Sequence, residues 1–171
     1  HVVIAGAGFS GIVMGLRLKQ AGIPFVIIEK NDAIGGTWYE NTYPGIGVDT
    51  PCHFYSLSLL PNPDWPDFFS KGPKILAYLN RIVDEFGVRE HIRFNEEIRS
   101  AHYNERTCQW EIQTQQRDGG ADTLQANAFV SAVGILNKPA VPPIPGLETF
   151  KGPKFHSARW DHSVDIKGKR V

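Results

Sequence analysis

The apolar residues at the start of the chain follow the pattern of a buried strand, then of a helix, and then of a second buried strand. Residues 2–5 (Val-Val-Ile-Ala) are apolar at every position, which is typical of a parallel strand covered on both faces. Ile12, Val13, Leu16 and Leu18 then recur on one helical face that ends near Gly22. Residues 25–28 (Phe-Val-Ile-Ile) form a second continuous apolar run. The order predicts a strand–helix–strand unit of about 30 residues.

The segment 31–70 has no such periodicity. It is dense in glycine, proline and aromatic residues, among them Trp38, Tyr43 and Trp65. A loop of this length is uncommon in a compact domain and is usually functional. Because a linker would be polar, we expect these aromatic side chains to pack against a flat surface.

The remaining patterns predict one more helix, an antiparallel meander and a further strand. Residues 73–86 place their apolar side chains on one stripe, and Gly87 follows as a natural end of the helix. Residues 92–115 alternate in strand fashion around a turn at 104–106, which predicts an antiparallel meander at about 98–115. Residues 128–134 predict a buried strand, and 139–145, with four prolines, an extended connector. The predicted fold class is α/β, a Rossmann-like domain in three layers with a parallel sheet and a small antiparallel β-meander.

Composition excludes several classes of protein. The 171 residues suffice for one domain, and 42% apolar and 21% charged residues are ordinary for a globular protein. A net charge of zero gives no support for a nucleic-acid partner. No apolar run approaches the ~18 residues of a membrane helix, and no signal peptide is visible. Cys52 and Cys108 form no C-x-x-C pair and the histidines show no ligand spacing, so we expect a reducing, cytoplasmic location and no metal site.

Three glycines after the first strand indicate a nucleotide site. Gly6, Gly8 and Gly11 form G-x-G-x-x-G between a predicted strand and a predicted helix. The first glycine permits a tight turn, the second lets the backbone approach a pyrophosphate, and the third allows close packing of helix on strand. The helix amino end then offers N–H groups to the phosphates. The alternative is a merely structural turn, but the strand, the helix and an acidic residue 23 positions after Gly6 favour nucleotide binding.

The acidic residue is Glu29, at the end of the second predicted strand. Its carboxylate can accept hydrogen bonds from ribose hydroxyls. A 2′-phosphate at ~4 Å would be repelled by about 4 kcal/mol at an effective dielectric near 20. The site is therefore expected to hold FAD or NAD and not NADP; the alternative is a surface glutamate at a strand end.

Two further groups of residues are ambiguous on residue type alone. Gly35-Gly36-Thr37-Trp38 permits backbone approach to a ligand and provides a ring that can cover it, yet it also fits a turn beside a core tryptophan. Asp49 follows Tyr43-Pro44-Gly45 and, without context, is best explained as an Asx-turn residue.

A motif near the end of the chain changes those interpretations. Residues 150–161 read F-x-G-x-x-x-H-x-x-x-W-D, with Phe150, His156, Trp160 and Asp161 among the five fixed positions. Because of this stretch and the glycine motif upstream, the chain resembles the Baeyer–Villiger flavin monooxygenases over its whole length. Residues 43–58 (YPGIGVDTPCHFYSLS) resemble the branch that includes the hydroxyacetophenone monooxygenases.

The resemblance assigns roles to residues of this chain. Those expected to bind FAD or to lie beside it are Gly6, Gly8, Phe9, Ser10, Gly11, Glu29, Gly36, Thr37, Trp38, Asp49, Tyr55 and Ile98. Asp49 is expected to orient an active-site arginine that this chain does not contain, and Ile98 to lie near the adenine. Residues 131–134 match a stretch that connects the two nucleotide domains, although Val133 replaces the usual threonine.

The resemblance also implies a division of the chain. Residues 1–149 are expected to form the N-terminal part of an FAD-binding domain, and 150–171 a linker and the start of an NADP-binding domain. His156 is then a residue that couples NADPH binding to domain movement and not a base; the alternative is a histidine packed beside aromatic side chains. Trp160 with Asp161 separates the motif from that of the N- and S-oxygenating flavin monooxygenases, which usually ends in tyrosine or phenylalanine.

The implied activity is an FAD- and NADPH-dependent monooxygenation. A peroxide formed from O2 at flavin C4a inserts one oxygen atom next to the carbonyl of a small-molecule ketone and yields an ester or lactone. Two alternatives stay open, an N-hydroxylating or S-oxygenating flavin monooxygenase and a non-catalytic FAD-binding module. We expect residues 1–171 alone to be inactive, and the sequence indicates neither the ketone nor the oligomeric state.

Overall fold

The computed structural model describes residues 1–136 and 138–171. The strands are β1 (Val2–Ala5), β2 (Phe25–Ile28), β3 (Ile92–Arg93), β4 (Glu96–Asn104), β5 (Gln109–Gln116), β6 (Ala121–Ala126) and β7 (Ala128–Ser131). The helices are α1 (Phe9–Gln20), α2 (Thr37–Glu40) and α3 (Gly72–Glu85), with 3₁₀ turns at Arg89–His91, Leu147–Thr149 and Ser157–Arg159. Within the described ranges, no helix combines the length and apolarity needed to cross a bilayer.

A four-stranded parallel sheet in the order β3-β2-β1-β7 lies at the centre. Side chains alternate between its two faces: Ile4 and Ile27 join the cluster that contains the helices, while Val3 and Ile28 join a cluster on the opposite face. Because both faces are covered, β1 and β2 are apolar at every position, as the sequence predicted.

Helices α1 and α3 form the layer on one face. The buried stripe of α3 includes Ile75, Leu79 and Ile82, and Gly87, at φ +58°, follows the helix, so the predicted helix and its end are confirmed. Gly15 lets α1 approach the sheet closely, because a Cβ at that position would lie 2.9 Å from the Cδ1 of Ile27.

The antiparallel sheet β4-β5-β6 covers the other face. Ile112 and Ala126 are buried against Val3 and Ile28, which completes the predicted three-layer α/β architecture. The meander predicted at 98–115 is longer than expected, since it begins at residue 96 and includes β6. Strand β6 (ADTLQA) escaped prediction because it contains a single large apolar residue and so shows little alternation.

The strand predicted at 128–134 is shorter and less buried than expected. It ends at Ser131, and none of its four residues is fully buried. The reason is its place at the edge of the sheet, where β1 is its only partner among the described strands. Residues 132–134 leave the sheet at its carboxyl edge.

The aromatic segment 31–70 packs partly as predicted. Trp38, Tyr55 and Trp65 contact the core clusters, whereas Phe54 is 85% and Phe68 64% exposed. Tyr78 of α3 anchors the segment: its hydroxyl donates to the carbonyl of residue 60 at 2.7 Å and accepts from the N–H of residue 57 at 2.8 Å. Burial raises the pKa of Tyr78, so this hydroxyl keeps its proton and can make both bonds.

Replacing Tyr78 by phenylalanine should destabilise the fold, because it leaves a partly buried donor and a partly buried acceptor without their partner. We expect the free energy of unfolding to fall by about 1–3 kcal/mol, measured by urea unfolding. The matched control is Tyr103→Phe at a side chain that is 43% exposed, where little change is expected. Equal losses in the two variants would contradict the anchoring role.

Candidate functional site at the carboxyl edge of the parallel sheet

A cavity of about 420 Å³ opens where β1, β2 and β7 end. Ligands of open parallel sheets bind at this edge because the loops after the strands converge there. The cavity is lined by Ala5, Gly6, Gly8, Phe9, Ser10, Ile28, Glu29, Lys30, Gly35, Gly36, Thr37, Trp38, Glu40, Tyr55, Glu96, Glu97, Ile98, Ala132, Val133 and Gly134. Most of the residues that the sequence proposed for a cofactor are therefore brought together.

The amino end of α1 faces this cavity. Gly8 is the N-cap, and among the described residues no side chain caps the helix. The first turn carries no acidic residue, and the first helical hydrogen bond runs from the N–H of Ile12 to the carbonyl of Gly8. The preceding N–H groups and the helix dipole thus present partial positive charge to an anion.

The three glycines of the motif differ in what surrounds them. Gly6 has a φ of +97°, which few other residues adopt. A Cβ on Gly11 would lie 1.9 Å from the carbonyl oxygen of Gly6, so α1 packs on the loop only through glycine. A Cβ on Gly8 would meet only Gly36, at 3.7 Å. Gly8 therefore lines the cavity without a side chain, whereas Gly11 is required for the packing of α1 on the loop.

Glu29 ties the glycine loop to the end of β2. It is 4% exposed, and its Oε2 accepts from the N–H of Ala7 at 2.7 Å. Its Oε1 accepts from Asn31 twice, from the backbone N–H at 2.9 Å and from Nδ2 at 2.8 Å. A carboxylate has about four acceptor positions, so these bonds leave capacity for a ligand hydroxyl. The residue thus shapes the loop in addition to the ribose role predicted for it.

Aromatic side chains form one wall of the cavity. The Nε1 of Trp38 donates to the hydroxyl of Tyr55 at 3.1 Å, and the two rings meet edge to face with centroids 5.7 Å apart. Phe9 contacts Tyr55 in the same way at 5.3 Å. Gly36, before α2, has a φ of +53°, so this glycine is required where the chain turns toward Gly8.

Three predicted site residues lie outside the lining. Gly11 is buried beneath the loop, and Asp49 is exposed, with its Oδ1 accepting from the hydroxyl of Thr50 at 3.4 Å. The Nδ1 of His156 accepts from the N–H of Ala158 at 3.0 Å and so caps the turn Ser157–Arg159. The roles of Asp49 and His156 stay predictions.

Several lining residues were not predicted as site residues. Lys30 and 132–134 follow β2 and β7, so the rule that ligands bind beyond the carboxyl ends of parallel strands could have found them. Glu96 is 2% exposed and accepts from the hydroxyl of Thr114 at 2.5 Å. Glu40 comes from α2. No local signal in the sequence distinguishes these two glutamates from surface residues.

The uncapped helix, the glycine loop and the carboxylate after β2 define a dinucleotide-binding α/β domain. Comparison with known proteins identifies the family more closely. The model of the flavin-binding monooxygenase-like family matches residues 1–171, and the chain belongs to this family.

Relatives in the curated collection agree with this assignment. A Baeyer–Villiger monooxygenase of Streptomyces coelicolor is 46% identical over 172 residues, which cover 100% of this chain and 32% of the relative. A Baeyer–Villiger monooxygenase of Pseudomonas aeruginosa is 43% identical, with 99% of this chain and 32% of the relative covered. The chain thus spans about a third of the length of these relatives. The predicted resemblance to Baeyer–Villiger monooxygenases is confirmed, while the hydroxyacetophenone branch stays a prediction.

Solved structures share the fold. A closed crystal structure of cyclohexanone monooxygenase superposes with a TM-score of 0.84 at 38% identity, covering 96% of this chain and 31% of that one. A crystal structure of OTEMO in complex with FAD and NADP gives 0.82 at 35% identity, covering 98% and 32%. The predicted α/β fold class is confirmed.

Alanine at Gly11 should destabilise the fold. Alanine favours a helix over glycine by about 1 kcal/mol, but a Cβ overlapping a backbone oxygen costs about 3 kcal/mol or more. We expect a net loss of about 2 kcal/mol or more in the free energy of unfolding, measured by urea unfolding. Gly8→Ala is the control, with a loss below about 1 kcal/mol. A Gly11→Ala variant as stable as the parent would contradict the packing role.

Proposed function

We propose that the complete protein carrying this chain is an FAD- and NADPH-dependent monooxygenase of the Baeyer–Villiger type. It would insert one oxygen atom from O2 next to the carbonyl of a small-molecule ketone and release an ester or lactone. The observation that carries the proposal is the uncapped amino end of α1 beside Glu29 in a chain of this family. A cytoplasmic location belongs to the same proposal.

In this proposal the cavity would hold the adenine, ribose and pyrophosphate portion of FAD. Backbone N–H groups at Phe9 and Ser10 would hold the pyrophosphate, and Gly8 would let it approach. Glu29 would accept from the ribose hydroxyls, and Ile98 would contact the adenine. Bound FAD supplies the electron transfer and the activation of O2; the protein supplies orientation and exclusion of water.

The residues nearer the flavin would be Gly36, Thr37, Trp38 and Tyr55. The bond from Trp38 to Tyr55 keeps both rings in one orientation, which suits a wall that excludes water from a reactive centre. Asp49 would orient an arginine from a part of the complete protein other than residues 1–171. The carboxylate of Asp49 is exposed and therefore accessible to such a partner. Gly11 would act only through packing.

The proposed division of the chain is 1–149 as the N-terminal part of the FAD-binding domain and 150–171 as a linker leading to an NADP-binding domain. Among the described residues, both sheets and all three α-helices precede residue 149, which supports this division. His156 would couple the linker to NADPH binding, and its cap on the turn Ser157–Arg159 gives it a fixed starting orientation.

The proposed reaction can be tested on the complete protein. We expect it to purify with an FAD spectrum and to consume NADPH under air while converting an aryl or cyclic ketone to an ester or lactone, detected by mass spectrometry. An amine and a sulfide serve as comparison substrates. Oxygenation of these two without any ketone product would replace the proposal by an N- or S-oxygenating enzyme, and absence of bound flavin would reject the site assignment.

Gly8→Ala should weaken FAD binding without unfolding the protein. Its backbone angles (φ −81°, ψ −170°) suit alanine, and the new methyl group would lie 3.7 Å from Gly36, between two residues that line the cavity. We expect the dissociation constant of FAD to rise by about tenfold or more, which corresponds to about 1.4 kcal/mol, in a flavin fluorescence titration.

Ser10→Ala is the matched control for that titration, because it keeps the backbone N–H and removes only an exposed hydroxyl. We expect its FAD affinity to stay within about threefold of the parent, since the N–H group is the donor that a phosphate uses. Unchanged FAD affinity in Gly8→Ala would mean that the cofactor does not approach this part of the loop.

A further inference from the structure

A continuous chain of polar contacts joins the 155–163 segment, which carries the His156, Trp160 and Asp161 positions of the C-terminal motif, to the glycine loop. The Nη1 of Arg159 lies 3.7 Å from Oε2 of Glu40. The Oε1 of Glu40 accepts from Nδ2 of Asn31 at 3.0 Å. The same Nδ2 donates to Glu29 at 2.8 Å, and Glu29 accepts from the N–H of Ala7 at 2.7 Å. The contacts span from the linker to the loop that lines the cavity.

Glu40 is the junction of this chain of contacts. Its side chain is only 10% exposed, and Lys30 also contacts its Oε1, at 2.9 Å. A carboxylate with so little exposure needs its partners, because a charge shielded from water is strongly destabilised when its partner is removed. Glu40 also lines the cavity, so a ligand there lies next to the junction.

Hydrogen bonds and a ring contact give the 155–163 segment a defined local structure. His156 caps the turn that presents Arg159, and the rings of Phe155 and Trp160 meet edge to face at 5.1 Å. Asp161 accepts from the N–H of Ser163 at 2.9 Å and from its hydroxyl at 2.6 Å. These bonds hold the pKa of Asp161 below its usual range.

A second contact fixes the same segment independently of the carboxylates. The Nε2 of His162 lies 2.9 Å from the hydroxyl oxygen of Thr42, two residues beyond Glu40. The segment therefore meets the end of α2 and the chain that follows it at two points, Arg159 on Glu40 and His162 on Thr42. Both contacts can form only when the segment lies in one register along that chain.

We propose that Glu40 is a positioning residue that couples occupancy of the cavity at Glu29 to the order of the 155–163 segment, through Asn31 and Arg159. The inference rests on the proposed function, because the occupant is FAD. A ligand that engages Glu29 steadies Asn31 and hence Glu40, which holds Arg159 in place. Coupling of this kind is reciprocal, so the loss of Arg159 must weaken FAD binding by the factor by which FAD steadies the segment.

Hydrogen exchange on the complete protein tests the coupling directly. We expect FAD to slow exchange of the backbone amides in 155–163 by about threefold or more, and Glu40→Gln and Arg159→Ala each to abolish that effect. Arg159 is half exposed, so its replacement leaves the core intact even if Glu40→Gln disturbs it. Arg99→Ala is the matched control. Arg99 lines the same surface groove as Glu40 and Arg159, but it pairs with Glu97, at 2.8 Å.

Affinity measurements supply a second readout. We expect the dissociation constant of FAD to rise about fivefold in Glu40→Gln and in Arg159→Ala, and by about the same factor in the double variant, since residues in one network are not additive. Two results would overturn the inference. One is a double variant whose dissociation constant for FAD rises by the product of the two single factors, and the other is equal protection of 155–163 from hydrogen exchange in Glu40→Gln and in the parent. FAD binding that leaves 155–163 unchanged in the parent would overturn it while the proposed function stands, and failure of the parent to bind FAD would overturn both.

Discussion

The hydrogen bond from the N–H of Ala7 to the carboxylate of Glu29 holds the cavity together. It joins the loop after β1 to the end of β2, and it leaves the amino end of α1 directed at the space between them. A carboxylate that is 4% exposed is costly to bury without hydrogen bonds, and Asn31 supplies two further donors. The same group therefore satisfies its own burial, shapes the glycine loop and offers acceptor capacity to a ligand.

The three layers provide the rigid support for this contact. Helices on one face and the β4-β5-β6 sheet on the other cover β1 and β2 completely, so the strand ends cannot shift relative to each other without opening a packed core. Gly11 and Gly15 add close contacts between α1 and the layer beneath it. The cavity is thus formed by loops on a scaffold whose position is determined by packing, as in other ligand sites at the carboxyl ends of parallel strands.

The polar contacts around Glu40 extend this arrangement beyond the cavity. Residues far apart in the chain, at 29–31, 40 and 159, meet through charged and amide groups with little exposure at the glutamate. In this architecture the C-terminal motif is connected to the residues that line the cavity through specific side chains and not only through the backbone between them. Lys30 lines the cavity and contacts Glu40 at 2.9 Å, and Arg159 lies 3.7 Å from the other carboxylate oxygen of that glutamate.

The sequence by itself determined the elements with strong periodicity and the residues with a backbone role. Strands β1 and β2, helices α1 and α3, the glycine motif and Glu29 follow from local rules, because continuous apolar runs, helical stripes and glycine spacing depend on neighbours in the chain. Only the tertiary structure decided the rest. Strand β6 owes its place to pairing with β5, β7 is half-buried because it is an edge strand, and Glu40 and Glu96 reach the cavity because packing brings α2 and β4 to it. Such contacts depend on residues that are distant in the sequence, so the pattern of neighbouring residues does not indicate them.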